Sequence, residues 1–148
     1  MAIYLNNNVG IKLATAAAPT VPSIDISSYV TAVTLTQVVD EIEVSTFGDT
    51  AHKFAAGLQA ATLSIDFLDD WEASQVMQTL SAAFGTTLAV SMITKKGTAV
   101  AANNPSYQFS ILVNNLTPVG SGGVADYASS SLSFTVNTPV VVSPTVAF

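Results

Sequence analysis

Apolar and polar residues alternate along much of this chain. Val33 and Leu35 alternate with Thr34 and Thr36, and Ile42 and Val44 with Glu41, Glu43 and Ser45. Leu63, Ile65 and Phe67 alternate with Thr62, Ser64 and Asp66. The period recurs at Leu88, Val90 and Met92, at Tyr107, Phe109, Ile111 and Val113, and at Leu132, Phe134 and Val136. A period of two marks strands with one buried face. A weaker alternation over residues 3–14 suggests a short first strand, with Asn6, Asn7 and Asn8 as its turn. Lys95-Lys96-Gly97 and the glycine-rich run 120–123 read as turns.

One stretch has a helical period instead. Ala73, Val76, Met77, Leu80, Ala83 and Phe84 fall on one helix face. Asp69 and Glu72 have capping-box spacing, and Gly85 is a suitable stop. The pattern predicts a helix over about 70–84, with Trp71 in its first turn. Its other face, Ser74, Gln75, Gln78, Thr79 and Ala82, carries no charge. The expected fold is mainly β: a β-sandwich or small barrel of about seven or eight strands with one flanking helix. Residues 15–23 read as a loop or linker, and 139–148 as an extended C-terminal segment. The 148 residues are expected to form one domain.

Charge changes the picture. Charged residues are only 9% of the chain, against about 25% in ordinary soluble domains. Mean hydropathy is +0.50, yet no apolar run reaches the length of a membrane span. Interfaces are depleted in charge at their centres, so the composition favours a subunit covered by copies of itself. Net charge is −6, and Lys12, Lys53, Lys95 and Lys96 supply all the formal positive charge. A protein that grips nucleic acid needs a basic patch, which this chain lacks. The start of the chain lacks the pattern of a signal peptide, so residence in the cell that makes it is expected.

Candidate chemistry is sparse. There is no Cys, hence no thiol nucleophile or Cys-based metal site. His52 is the only His, with no second imidazole to share a metal and no G-x-S-x-G turn to pair with. Asp40, Glu41, Glu43 and Asp49 cluster in sequence without the spacing of a calcium loop. The glycines at 120–123 lack the Lys and Ser/Thr of a phosphate loop. No catalytic residue, cofactor site or metal site is expected.

The run from Val38 to Trp71 reads as strand, long loop, strand and helix start. Asp40, Glu41, Glu43 and Val44 end its first strand, and T-F-G-D-T-x-H-K-F-x-x-G-L follows. This resembles the tail tube (major tail) proteins of long-tailed bacteriophages. The matching loop residues are Thr46, Phe47, Gly48, Asp49, Thr50, His52, Lys53, Phe54, Gly57 and Leu58. Asp25–Val30 with Val33-Thr34-Leu35, Asn104–Tyr107, and the run from Leu116 to Phe134 extend the resemblance, which covers about Ile24 to Thr138.

The resemblance implies a structural virion protein that forms six-membered rings stacked into a hollow tube. DNA passes down the tube without being gripped. Partners are then further copies, other phage tail proteins and transient DNA, with no membrane. Assembly takes place in the host cytoplasm and residence is in the virion tail. The loop of about Thr46–Gln59 would be mobile alone and ordered by a neighbour. Glu41, Glu43 and Asp66 are the candidate acids lining the channel, where like charge repels a polyanion. The alternatives are a capsid decoration protein, a tail terminator, or a carbohydrate-binding or adhesin β-sandwich.

Overall fold

The computed structural model describes residues 8–17, 21–120 and 123–148; the expected turn at Asn6-Asn7 and part of the 120–123 turn lie outside them. The fold is mainly β, with eight strands and one short helix among the described residues. In chain order these are β1 (Gly10–Leu13), β2 (Ile24–Asp25), β3 (Val30–Glu43), β4 (Phe54–Leu68), α1 (Val76–Ala82), β5 (Thr87–Ile93), β6 (Ser106–Leu112), β7 (Ser129–Val136) and β8 (Val141–Ser143). All belong to one antiparallel sheet, ordered β2-β1-β5-β6-β7-β4-β3, with β8 also paired to β6. The sheet does not close into a barrel.

The sheet has two arms, and among the described residues their strands pair where Ile111 and Leu112 of β6 meet Val136 and Thr135 of β7. One arm is β2-β1-β5-β6 and the other β7-β4-β3. Their apolar faces share one core. Ile11, Leu13, Leu88, Val90 and Phe109 come from the first arm, and Leu63, Ile65, Phe67, Leu132 and Phe134 from the second. The alternation read in β4 and β7 marks this boundary, with Leu63, Ile65 and Phe67 buried and Ser131, Ser133 and Thr135 exposed. After β7 the chain keeps following β6. Asn137 N donates to Ser110 O, and the Thr138 hydroxyl accepts from Ser110 N just before Pro139 interrupts the ladder. β8 then resumes it.

The helix is shorter than its expected span of 70–84. It begins at Val76, with Gln75 at its N-cap and no side-chain cap. Asp70, not Asp69, takes the cap-like role, accepting from Glu72 N. Ser74 sits at φ 64°, which no helix interior tolerates, and its N–H goes to the Gln78 side chain. Trp71 therefore lies ahead of the helix, half-exposed. Val76, Met77, Leu80 and Ala83 are buried as a helix face requires. Ala73 and Phe84 are not on that face: Ala73 stands in the turn before the helix, and Phe84 lies beyond its last turn, where Gly85 at φ 79° redirects the chain. Thr79, placed on the polar face by its spacing, is buried beside Leu80.

The C-terminal run crosses the other face of the first arm. Ser106 Oγ donates to Val146 O at 2.7 Å and Lys12 Nζ to Phe148 O at 2.9 Å. The Lys12 ammonium lies 4.4 Å from the centre of the Phe148 ring. Among the described residues, no helix is long and apolar enough to cross a membrane.

Candidate functional site

β3 and β4 form a ladder that runs from Val30↔Phe67 to Glu43↔Phe54. Only its lower part has a core to lean on. Val33 and Leu35 pack against the core, whereas every residue from Thr36 to Glu43 on β3 is exposed. The ladder therefore projects from the body as a two-stranded ribbon. β4 starts at Phe54, so the expected loop of Thr46–Gln59 is shorter. Residues 54–59, with Gly57 and Leu58, are strand, and the connection is 44–53. The glycine is there for close approach rather than mobility: a Cβ on Gly57 would lie 3.1 Å from Asp40 Cβ and 3.2 Å from Ile42 Cδ1. Here β4 carries one extra residue between Val39↔Gln59 and Glu41↔Ala56.

The ribbon exposes apolar side chains on both faces. Alternation puts Val38 and Ile42 on one face and Val39 and Phe54 on the other, and all four are exposed. Ile42 and Val44, which alternation suggested as a buried face, are 53% and 49% exposed, because no layer covers this end of the sheet. Leu58 is 81% exposed and Phe47, at the turn, stands wholly in solvent. Isolated two-stranded ribbons are marginal in water, and these side chains leave this one with an exposed apolar surface.

Polar contacts shape the ribbon's end. Asp49 accepts from Thr46 N at 2.8 Å, from the Thr46 hydroxyl at 3.1 Å and from Lys53 Nζ. The Lys53 ammonium, then the Thr46 amide, hold the Asp49 carboxyl below its ordinary range. His52 Nδ1 lies 2.6 Å from Glu43 Oε1, and this contact, followed by Ser45, lowers the Glu43 carboxyl likewise. Lys53 N donates to Ser45 Oγ and Val44 N to Lys53 O. Of the expected loop residues, Thr46, Asp49, His52 and Lys53 thus join local pairs. Gly48 has open space around it, and Thr50 is exposed. No group of three metal-ligating side chains occurs among the described residues.

The three candidate channel acids do not share a face. Along β3, Glu41 and Glu43 stand on the side of Val33 and Leu35. Asp66 alternates with the buried Ile65 and Phe67 and so stands on the opposite side. There it accepts from the Ser131 hydroxyl.

Sequence reasoning missed a slot beside the ribbon. β4 pairs with β7 only over Thr62–Leu68, since β7 turns away to follow β6. Between the edge of β4 and residues 136–140 lies a crevice of about 640 Å³. Val38, Leu58 and Ala60 form one wall, and Val136, Pro139 and Val140 the other. None of its lining residues is charged. Pro139 after the β7 pattern was the one available signal that the edge would be left open.

No protein-family model and no curated protein matches the chain. Among solved structures, a chain from "Virion of native gene transfer agent (GTA) particle" shares the fold. Its TM-score is 0.65 at 9% identity, covering 95% of this chain and 99% of that one. At that identity the likeness concerns the fold.

Proposed function

We propose that this chain is a structural virion protein, a tail tube subunit whose copies assemble into six-membered rings stacked around a channel for DNA. The observation that carries the reading is the projecting β3–β4 ribbon, which leaves Ile42, Phe47, Phe54 and Leu58 exposed together beyond the end of the core. A second copy is the natural cover, since the low charge of the whole chain leaves little repulsion between copies. The fold shared with a chain of a gene transfer agent virion supports the same reading, as do the residues Thr46–Leu58 that resemble the tail tube family. The role is non-catalytic, its partners are further copies and other tail proteins, and its place is the virion. Electron microscopy of the purified protein at high concentration tests this. Hollow cylinders are expected; a capsid decoration protein or tail terminator forms none.

A further inference from the structure

We infer that the slot between β4 and residues 136–140 is the seat for the ribbon end of a second copy, with Phe47 as the plug. The inference rests on the self-assembly reading and adds where one copy holds the next. Two features favour this occupant. The slot has no charged lining residue, and at the ribbon end the Lys53 ammonium is paired with Asp49. An uncharged seat meets an end whose protruding group is an exposed phenyl ring. The wall of the slot is also an open sheet edge. Among the described residues, no ladder pairs Phe54–Ala61 on the side away from β3. An extended segment laid there gains main-chain hydrogen bonds as well as apolar contact.

The plug cannot be the chain's own. The β3–β4 ladder runs on past the slot, through the bulge at Gly57 and Leu58, to Glu43↔Phe54, and Phe47 lies in the connection beyond its end. At about 3.3 Å per residue, the ladder carries the ribbon end about 15 Å beyond the slot-lining Val39↔Gln59 pair, and Phe47 lies further on in the 44–53 connection. Plug and seat are different surfaces of one subunit, so the contact is head-to-tail. Such a contact either closes copies into a ring or, made between rings, leaves plugs free at one end of the stack and seats free at the other, so that further rings can add.

The chain has no Cys, which makes a cross-linking test clean. Gly48→Cys places a thiol beside Phe47 in open space. Gln59→Cys places one in the slot, and Ser81→Cys places one on the exposed side of α1 as a control. Copies carrying Gly48→Cys are mixed with size-tagged copies carrying Gln59→Cys, assembled, and treated with a short bismaleimide. The expected result is a mixed dimer with Gln59→Cys and none with Ser81→Cys. Adding Leu58→Asp to the seat copy should abolish the mixed dimer while its monomer melts as before. Cylinders in which Gly48→Cys links to Ser81→Cys as well as to Gln59→Cys, or to neither, overturn the seat and leave the tube standing. Failure to form any assembly, seen by microscopy of the same samples, overturns both.

Discussion

Ser131 and Asp66 are direct partners across the β4–β7 ladder, and the Ser131 hydroxyl donates to the Asp66 carboxylate. They belong to an ordered polar face. In register beside them run the rows Thr36–Thr62–Thr135 and Thr34–Ser64–Ser133, so three strands present an array of hydroxyls with Asp66 as its acid. Glu41 and Glu43 are on the other side of the sheet. If the hydroxyl face lines the channel, charge reversal at Asp66 matters most. Tubes of Asp66→Lys should release DNA slowly in an ejection assay, with the delay relieved by salt, because each added cation takes up a phosphate contact. Glu41→Lys with Glu43→Lys should delay release less. The opposite order would place the glutamates in the channel.

The ribbon's apolar side chains should matter for assembly and not for folding. Ile42 and Phe54 have no core neighbour to lose, so Ile42→Ser with Phe54→Ser should move monomer stability by no more than about 0.5 kcal/mol per site. Cylinder formation by the same variant should fail. A large drop in the monomer's melting temperature would show that these residues hold the fold itself.

The strands were legible because their alternation is set by one shared core, which buries Leu63, Ile65, Phe67, Leu132 and Phe134 in turn. The ribbon was legible as two strands but not in its length. Phe54–Gln59 has glycine and alanine without clear alternation, since neither of its faces is buried. The helix was misjudged at both ends for local reasons. Ser74 adopts a left-handed backbone that its residue type does not announce, and Phe84 follows the periodicity past the point where the helix stops. The faces of Glu41 and Asp66 could not be related from sequence, because each strand's polar side was assigned by its own alternation. On β3, Glu41 follows the core side out beyond the core's end.

The corrected helix face makes a paired test of the core. Leu80 is 1% exposed among Val76, Met77 and the sheet. Leu80→Asp buries an unpaired charge there and should cost about 4 kcal/mol or more. Phe84→Ser should cost little, as the ring is already more than half in solvent. Thermal unfolding of the two variants checks both. Equal losses would mean that Phe84 is covered in the free chain, and no loss at Leu80 would mean that α1 is not packed on the core.

The ribbon end should be acid-sensitive through Asp49. Its carboxylate organises the turn by accepting from Thr46 N, the Thr46 hydroxyl and Lys53, and these bonds lower its pKa. A lowered pKa means that the ordered turn binds the proton less readily than a disordered one. Its stabilisation is therefore complete above the ordinary aspartate range and is lost as pH falls through the lowered value. The Thr46 amide resonance should report that titration, and Lys53→Gln should move its midpoint upward toward the ordinary value. Of the main-chain bonds here, Val44 N to Lys53 O joins two exposed residues, and Asp49 N to Thr46 O joins a half-buried residue to an exposed one. Amide exchange over residues 44–53 should accordingly be fast in the free chain even at neutral pH, and should slow on assembly as a neighbour covers the turn. Strong and equal protection in the free chain and the cylinder would show that the turn is finished before any partner arrives, and that it takes no order from assembly.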